Sequence, residues 1–525
     1  MNDRPRLSAA DFDLAIVGSG FAGSLLALIA RRLGYSVVLV ERGRHPRFVI
    51  GESSTPLADI LWSELALRFD LPRLAPLSKW GSWQRDRPEL ACGLKRGFTF
   101  YHHRAGESFQ DDESRSRQLL VAASSGDETA DTHWYRPDFD QFLVHEAVAA
   151  GVEYLDETTL TGVDIGLASV TLTGTRGDHP VSLRTRFLFD ASGPRGFLFR
   201  QLTLPTASFV HHPPTQALYS HFRGVQRLDG LGVPANAAQA PYPPDDAALH
   251  HVFDGGWIWV LRFNNGLTSA GVAATDPVAE SLQFADGAPA WQRLLARFPT
   301  VREQFRHATA ELPFVHSPRL PFRCGQMAGT RWALLPYAAG FIDPLLSTGF
   351  PLTLLGIGRL ADALATGLDS PQFADRLNDY VRSGHAEFQA AERLIASLYA
   401  TMPDPPSFQR VALLYFAAAA YSEIARRLGR SRLAGGFLLH DHPGFGPRCR
   451  VACDLALSAR GRAPFPSELR ALIEKAVRDA IEPIDATGLS RFERRNWYPI
   501  DAADLVAAAG RFEMTPSQMA ANLSS

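Results

Sequence analysis

Lysine is almost missing from this chain: only three of its 53 basic residues are lysines, and the rest are arginines. Arginine stays charged, whereas a lysine amine can lose its proton, act as a nucleophile and respond to burial. A lysine that such a chain retains is a candidate for chemistry that a guanidinium cannot perform. We single out Lys95, in the stretch Cys92-Gly-Leu-Lys-Arg-Gly-Phe-Thr-Phe-Tyr-His, with chance survival as the alternative. Lys79 has a loop-like context and is predicted to be a solvated surface residue.

Cysteine is also scarce, and long apolar runs are missing. Of the four cysteines only Cys449 and Cys453 are close, and one C-x3-C pair without a histidine cluster does not indicate a metal site. Reduced thiols favour the cytoplasm as the predicted location. No apolar segment approaches the roughly 20 residues that span a bilayer, so no membrane association is expected. The net charge of −2 gives no case for a nucleic-acid partner.

The chain opens with a strand–turn–helix–strand pattern. An apolar strand at Phe12–Val17 precedes Gly18-Ser-Gly-Phe-Ala-Gly23, a helix at Ser24–Leu33 and a strand at Ser36–Val40. Further on, Asn264-Asn-Gly266 lies between two apolar runs and predicts a β-hairpin. The other predicted elements are the helices Pro137–Ala150, Leu360–Leu368, Ala386–Ala400, Phe408–Leu428 and Pro466–Ile481 and the strand Phe187–Asp190.

The glycines after the first strand form a dinucleotide-binding fingerprint. Gly18 permits the sharp turn, Gly20 lets the backbone approach a pyrophosphate, and Gly23 permits close packing of helix on strand. Glu41, which ends the second strand, can accept the ribose hydroxyls. An ordinary βαβ turn is the alternative. Both NAD and FAD fit this pattern, but Asp190 with Gly193, and the stretch Gly340–Gly349 far along the chain, favour the more extended FAD.

Together these segments resemble the flavin-dependent halogenases of the tryptophan-halogenase superfamily. The motifs that carry the resemblance are Gly18–Gly23, Gly51-Glu-Ser-Ser-Thr-Pro56, Gly256-Trp-Ile-Trp-Val260 and Phe341-Ile-Asp-Pro-Leu-Leu-Ser-Thr-Gly349. It covers roughly residues 10–365. Two departures stand out: Leu261-Arg262 replaces the Ile-Pro that ends the family's paired-tryptophan motif, and Leu346 replaces a glutamate typical of tryptophan halogenases. Free tryptophan is therefore not expected as the substrate, and Lys95 with its neighbours looks more like the phenol or phloroglucinol type.

The resemblance implies an α/β fold: an FAD-binding Rossmann-like domain of the GR2 type, an inserted β-sheet substrate domain and a helical C-terminal region. The implied boundaries are 1–205 and 323–365 for the FAD-binding domain, 206–322 for the sheet domain and 366–525 for the helical region. Arg136 occupies a position where relatives of this fold place a basic residue near FAD, with a surface ion pair to Asp138 or Asp140 as the alternative. The residues expected to bind FAD are Gly18, Gly20, Ala22, Gly23, Glu41, Arg42, Glu52, Ser53, Arg136, Asp190, Gly193, Asp343, Pro344 and Phe350.

The resemblance also implies a reaction, in which reduced FAD and O2 convert chloride or bromide into hypohalous acid. The amides of Thr348 and Gly349, with the Ser347 hydroxyl, are expected to bind the halide, and a plain helix cap is compatible with that role. Lys95 is expected to pass the halogen to an electron-rich, phenolic substrate. Trp257 and Trp259, with Leu346, are expected to separate flavin from substrate. The implied partners are a separate flavin reductase and a small aromatic substrate, with a carrier protein as a further candidate.

The surroundings of Lys95 are predicted from strand alternation. If residues 94–100 form one strand, Lys95 shares a face with Gly97, Thr99 and Tyr101. No general base is identified, and five histidines are only candidates: His102, His103, His211, His212 and His221. Two other functions stay open, namely an FAD-dependent aromatic monooxygenase that uses NAD(P)H directly and a flavin-binding relative without catalytic activity.

Overall fold

The computed structural model describes residues 10–234 and 236–524. In this part of the chain the strands are β1 (Ala10–Val17), β2 (Val37–Val40), β3 (Cys92–Lys95), β4 (Gly97–His102), β5 (Gln118–Ala122), β6 (Asp131–Trp134), β7 (Glu153–Leu155), β8 (Thr158–Ile165), β9 (Val170–Arg176), β10 (His179–Asp190), β11 (Thr215–Arg223), β12 (Ala248–Phe253), β13 (Gly256–Arg262), β14 (Thr268–Thr275), β15 (Thr309–Ala310), β16 (Val315–Ser317), β17 (Phe322–Arg323), β18 (Ala328–Gly329), β19 (Trp332–Leu334), β20 (Gly340–Phe341) and β21 (Trp497–Tyr498).

The α-helices of the same residues are α1 (Phe21–Arg32), α2 (Pro56–Arg68), α3 (Trp80–Asp86), α4 (Arg136–Ala149), α5 (Phe197–Gln201), α6 (Asp276–Leu282), α7 (Ala288–Arg297), α8 (Pro299–Gln304), α9 (Pro336–Ala339), α10 (Gly349–Ala365), α11 (Pro371–Thr401), α12 (Pro405–Arg427), α13 (Gly446–Ser458), α14 (Ser467–Ile481), α15 (Ala502–Ala507) and α16 (Pro516–Ser524).

The first sheet is the scaffold of a dinucleotide-binding fold. Its strand order is β18-β19-β10-β1-β2-β7, and β7, β2, β1, β10 and β19 run parallel. The central strands read as continuous apolar runs such as Val37–Val40, as expected for strands covered on both faces. Ligands of such sheets bind at the carboxyl ends of the strands, and Val17, Val40 and Asp190 mark that edge.

The second sheet has the order β15-β11-β14-β13-β12-β4-β5-β21, with β16 also paired to β11. The predicted hairpin is present, because β13 and β14 pair in antiparallel fashion around Asn264-Asn-Gly266. The range 206–322 supplies β11 to β16, but β4, β5 and β21 come from outside it. The second sheet is thus assembled from three separate parts of the chain.

Three of the helices begin with a capping side chain followed by proline. Thr55 accepts a hydrogen bond from the backbone of Ala58 before α2, Ser370 from Gln372 before α11, and Asp404 from Ser407 before α12. Such caps satisfy amides that lack a partner in the first turn, and proline at the first position loses no hydrogen bond. The C-terminal helices share one apolar core with the first sheet. None of the helices formed by residues 10–234 and 236–524 is long and apolar enough to cross a membrane.

The expected α/β class, with its Rossmann-like domain and helical C-terminal region, is confirmed. The implied first domain begins with residues 1–9, which lie outside the described residues. The predicted βαβ unit is found in β1, α1 and β2. Helix α11 starts well before the predicted Ala386. Its first half buries Phe373, Leu377 and Tyr380 at helical spacing, a pattern that the sequence prediction missed among the polar residues between them.

Candidate functional site

A cavity of about 410 Å³ opens at the carboxyl edge of the first sheet and reaches under the second. The sheet edge contributes Val17, Val40 and the turn after β10, and the second sheet contributes Trp257 and Trp259 from β13 and His250 from β12. Most of the residues predicted to bind a cofactor line this cavity. They are Gly18, Gly20, Ala22, Glu41, Arg42, Glu52, Ser53, Arg136, Gly193, Pro344 and Phe350.

Two glycines shape the turn between β1 and α1. Gly18 has φ of +102°, and a methyl group in its place would lie 2.6 Å from the carbonyl oxygen of Ala191, so only glycine fits. A methyl group on Gly20 would project into the cavity, 3.6 Å from guanidinium nitrogens of Arg136 and Arg47. The turn therefore presents bare backbone and the start of α1 to the cavity, next to two cations. This arrangement suits a pyrophosphate.

Glu41 lies at the end of β2, where the fingerprint requires an acid. Its carboxylate accepts hydrogen bonds from the backbone and hydroxyl of Ser19, both at 3.1 Å, and from the backbone of Gly43 at 3.0 Å. Burial works against the charged form, but the Arg47 guanidinium and these donors outweigh it, and the pKa of Glu41 is lowered. Glu41 is therefore an anionic acceptor at the cavity edge, as a ribose-binding residue must be.

Arg136, at the start of α4, is buried and lines the cavity. Its guanidinium donates to both oxygens of Asp140, at 2.7 and 2.8 Å, and to the carbonyl oxygen of Gly51 at 3.0 Å. The pair with Asp140 is thus not at the surface. It locks the arginine in one orientation and ties α4 to the loop before α2.

Two of the predicted cofactor residues turn away from the cavity and support its loops instead. Asp190 accepts from the backbones of Ser192 and Leu198, at 2.8 and 2.6 Å, and so holds the turn after β10. Asp343 accepts from the indole of Trp257 at 3.2 Å, the backbone of Leu345 at 2.9 Å and the hydroxyl of Tyr399 at 2.9 Å. Burial raises the pKa of Asp343 to about 7. Gly23 also lies off the cavity, in α1, close to the carbonyl oxygen of Gly18.

Trp257 and Trp259 form one side of the cavity. Their rings are 5.7 Å apart and point to the same face of β13. Asp343 holds the indole of Trp257, and Ser269 accepts from the indole of Trp259 at 3.2 Å. Both rings are almost fully buried, so their positions are fixed by packing as well as by hydrogen bonds.

The loop before α10 has a strained backbone. Leu346 and Ser347 both have positive φ, 63° and 54°, which for residues other than glycine costs about 1–3 kcal/mol each. Thr348 follows as the N-cap of α10, and Gly349 is its first residue. Ser347 and Gly349 line the cavity, whereas Leu346 is fully buried beneath it. The first amides of a helix have no partner within it, so Gly349 brings such an amide to the cavity lining.

Lys95 is fully buried at the end of β3, directly behind Ser53 of the cavity lining. Its Nζ donates to the Ser53 hydroxyl at 2.9 Å and to the carbonyl oxygen of Ser54, and it lies 3.8 Å from the centre of the Phe98 ring. Burial lowers the pKa of Lys95 to about 7, and the charges of Asp131 and Asp59 offset only part of the effect. A large fraction of Lys95 is therefore neutral at neutral pH.

The predicted continuous strand over residues 94–100 is wrong. The chain breaks at Arg96, whose amide donates to the carbonyl oxygen of Asp246 at 2.7 Å; β3 therefore pairs with β6, while β4 joins the second sheet. This break changes the alternation of faces. Lys95 lies over Phe98 and not beside Thr99, which bonds to Tyr242 and Pro244 instead.

Lys79 is not the solvated surface residue that was predicted. Its side chain is 17% exposed, and its Nζ lies 2.8 Å from a carboxylate oxygen of Asp131 and 3.6 Å from one of Asp59. Both aspartates are fully buried. The sequence signal was misleading, since the two carboxylates lie 20 residues before and 52 after Lys79 in the chain and only the fold brings them together.

Helix α12 contributes a second group of aromatic residues that sequence reasoning missed. Phe416 packs 5.0 Å from Phe98, and Phe408 lies 5.9 Å from Phe100. His250 of β12 stacks on Phe100 at 4.4 Å and reaches the cavity lining. We call Phe98, Phe100, His250, Phe408 and Phe416 the aromatic cluster. Its member Phe98 contacts Lys95, and its member His250 belongs to the cavity lining.

The histidines named as candidate bases have other surroundings. His221 bonds to Glu52 at 2.8 Å, and His103 to His251 at 2.9 Å within the second sheet. His102 and His212 are buried, and burial lowers the pKa of both, to about 3 and about 4. The backbone of His211 bonds to Glu392 at 2.6 Å. Of this set only His221 is tied to a residue of the cavity lining, through Glu52.

The cavity fits FAD by its own features. The bare turn at Gly18 and Gly20 and the cations Arg47 and Arg136 suit the pyrophosphate, and Glu41 suits the adenosine ribose. The other end lies between Trp257 and the strained loop at Ser347, where a flat ring system would fit against the tryptophan. Bound there, FAD would supply redox chemistry at this end of the cavity.

Comparison with known proteins identifies the class. A family model for tryptophan halogenases matches residues 129–405, more than half of the chain, and one for NAD(P)-binding Rossmann-like domains matches residues 16–56. The chain belongs to the tryptophan halogenase family, and the expected class of flavin-dependent halogenase is confirmed. FAD is the cofactor of this class.

Two characterised relatives are each 30% identical to this chain. One is the monodechloroaminopyrrolnitrin halogenase PrnC of Pseudomonas fluorescens, matched over 70% of this chain and 64% of its own length. The other is the tetracycline 7-halogenase of Kitasatospora aureofaciens, matched over 72% of this chain and 68% of its own. The chain thus spans about two thirds of the length of these relatives. The halogenase PltM, whose structure contains phloroglucinol and FAD, has the same fold, with a TM-score of 0.83 at 24% identity over 93% of this chain and 99% of PltM.

Proposed function

We propose that this protein halogenates an electron-rich, phenolic substrate, and that Lys95 carries the halogen from the flavin side to that substrate. The observation that supports the proposal most is the position of Lys95. It is a buried amine with a pKa of about 7 that donates to Ser53 of the cavity lining and faces Phe98 of the aromatic cluster.

The loop before α10 is the proposed halide site. The amides of Thr348 and Gly349 are unpaired within the helix, and the positive φ of Leu346 and Ser347 turns that loop toward the cavity. Successive free amides and a helix N-terminus stabilise an anion without any cationic side chain. Trp257, which lines the cavity and is held by Asp343, is proposed to keep flavin and substrate apart.

Lys95 is proposed to accept the halogen as a neutral amine. Its nitrogen attacks the halogen of hypohalous acid, the nitrogen–halogen bond forms, the oxygen–halogen bond breaks, and the departing hydroxide leaves as water with one amine proton. A ring carbon of the phenol then attacks the halogen and the nitrogen–halogen bond breaks. The nitrogen takes up the proton that the ring carbon loses, and the amine is restored. Ser53 and the carbonyl of Ser54 hold Lys95 in place for both steps.

A phenolic substrate agrees with Leu346. A phenol oxygen already donates electron density to its ring, so substitution needs less help from a protein carboxylate than substitution on the benzo ring of an indole. Leu346 is fully buried and offers no such carboxylate. PltM, a protein of the same fold, binds phloroglucinol, which also favours a phenol. A separate flavin reductase is the proposed source of reduced FAD.

The test is a product analysis with the purified protein, FAD, a flavin reductase, NADH and bromide, against a panel of phenols and indoles. A parallel set of reactions presents the same aromatic compounds attached to a carrier protein. We expect products with the isotope pattern of bromine, from phenols and only when the reductase is present. Hydroxylated products without halogen, formed from NADH with no reductase, would establish the monooxygenase alternative. If the protein binds FAD but forms no product from any substrate, the result would support the alternative of a flavin-binding relative without catalytic activity.

A further inference from the structure

Two of the three lysines of the chain lie in one buried cluster with two aspartates. Lys79 bonds to Asp131 at 2.8 Å and faces Asp59 at 3.6 Å, and both aspartate side chains are fully buried. Lys95 lies directly opposite Asp131 in the pairing of β3 with β6. Ser54, whose carbonyl oxygen accepts from Lys95, donates its hydroxyl to Asp59. The proposed function uses Lys95 and leaves the other three charged groups unexplained.

Two buried carboxyl groups that face a single ammonium favour a state in which they share one negative charge, because two buried like charges repel each other. Burial and then the neighbouring charge of Asp131 raise the pKa of Asp59 well above its ordinary value, which favours its neutral form. Burial alone would lower the pKa of Lys79, but the nearby Asp131 and Asp59 outweigh the effect of burial, and the pKa of Lys79 is raised. The three groups therefore form a unit without net charge, in which the one anion is paired with Lys79.

Lys95 is left without a counter-ion in this arrangement. Its Nζ contacts a hydroxyl, a carbonyl oxygen and an aromatic face, and among the described residues no carboxylate lies within 4.0 Å of it. A charged amine that is buried without an ionic partner is unfavourable, and it escapes the cost by losing its proton. If the anion at Asp131 were released from Lys79, it would become the counter-ion of Lys95.

We propose that Lys79 is a positioning residue for Lys95: it takes up the single negative charge of the Asp59–Asp131 pair and so keeps the Lys95 amine neutral and able to accept halogen. This inference rests on the proposed function, because a neutral Lys95 matters only if it receives the halogen. A second lysine whose charge favours the neutral form of a reactive lysine is a known way to activate an amine.

The other titratable groups that face the cluster do not change this balance. They are His133 of β6, His250 of β12, and Tyr415, Glu423 and Arg427 of α12. Burial lowers the pKa of both histidines, that of His250 to about 3, and raises the pKa of Tyr415, so these three are uncharged at neutral pH. Glu423 and Arg427 pair with each other at 2.8 Å.

The low lysine content makes a direct test possible. Protein grown with lysine labelled with ¹³C next to the amine gives three lysine signals in the NMR spectrum. Single Lys→Arg variants assign each signal to its residue. Lys475, exposed on α14 beside Asp479, provides an internal reference, and Lys475→Arg is the control variant that leaves activity unchanged. The pH titration of the Lys95 signal is then compared between the parent protein and Lys79→Met, Lys79→Arg and Asp131→Asn.

In the parent we expect a midpoint of about 7 for Lys95. Lys79→Met frees the anion and raises the midpoint by about 1–3 pH units, the usual effect of an opposite charge nearby. Lys79→Arg keeps the cation and restores a midpoint close to that of the parent, and Asp131→Asn shifts it downward. An unchanged midpoint in Lys79→Met, or an equal shift in Lys79→Arg, would overturn the proposal. If Lys79→Met does not fold, a downward shift in Asp131→Asn supports the proposal and no shift or an upward one overturns it.

Activity provides the second readout. In Lys79→Met the pH at which kcat rises should move upward with the Lys95 midpoint, and activity should recover in alkaline buffer while FAD binding is unchanged. A purely structural role of Lys79 would lower kcat at all pH values equally, which would contradict the proposal. A parent protein that halogenates nothing would refute the proposed function, while the titration would still decide whether Lys79 controls Lys95. The two failures are therefore distinguishable.

Discussion

At the scale of single residues, Lys95 could be singled out from the sequence, but its surroundings could not be predicted. The scarcity of lysine and the motif around Lys95 drew attention to it, and the structure places it beside Ser53 of the cavity. The same reasoning failed for Lys79, because its partners Asp59 and Asp131 are distant in the chain. The assumed alternation of side chains along one strand also placed Lys95 on the wrong face, because a strand pattern does not reveal the break at Arg96.

The protonation of Lys95 predicts a pH dependence. The folded protein holds the Lys95 pKa at about 7, below the ordinary value of about 10.4, so the reactive neutral form is lost as the pH falls through 7. We expect kcat for halogenation to fall about tenfold for each pH unit below that midpoint and to be constant above it. The measurement is kcat at saturating reduced flavin and halide, with hypohalous acid formation followed separately. A kcat that does not change across neutral pH, or that rises only near pH 10, would contradict this expectation.

At the scale of elements, the loop between β20 and α10 shows strain that sequence motifs indicate only indirectly. The motif Phe341–Gly349 was recognised, but the positive φ of Leu346 and Ser347 was not, because neither residue type favours that conformation. The starts of α2, α11 and α12 are the opposite case. Thr55-Pro56, Ser370-Pro371 and Asp404-Pro405 are all capping pairs, a local signal of a helix start that the sequence prediction did not use.

Substitutions at Ser347 test whether the halide binds to backbone amides. Ser347→Gly tolerates the positive φ and removes the side chain with its hydroxyl, so we expect a halide KM close to that of the parent and stability within about 1 kcal/mol. Ser347→Val disfavours the positive φ, and we expect a loss of about 1–3 kcal/mol in urea unfolding and a raised halide KM. If Ser347→Gly raises the halide KM as much as Ser347→Val, the hydroxyl and not the backbone binds the halide.

At the scale of the whole molecule, the fold class was predictable and the assembly of the site was not. The fingerprint at Gly18–Gly23 and the hairpin at Asn264-Asn-Gly266 have local signals, and both are found. The second sheet, by contrast, recruits β4, β5 and β21 across hundreds of residues, and α12 brings Phe416 against Phe98. These contacts depend on which element packs against which. Local periodicity shows the apolar face of a single helix or strand, but not the partner of that face. The helical C-terminal region therefore packs against Phe98, the residue that contacts Lys95, although its sequence shows no motif.

The central claim is that Lys95 transfers halogen from the flavin side to the substrate. The most direct test compares the parent protein with Lys95→Met and with the control Lys475→Arg, measuring both halogenated phenol and hypohalous acid captured by a scavenger in solution. We expect the parent and the control to yield halogenated phenol. Lys95→Met should bind FAD and consume halide, but its hypohalous acid should go to the scavenger and not to the phenol. A Lys95→Met protein that binds FAD and still halogenates the phenol at the parental rate would contradict the account.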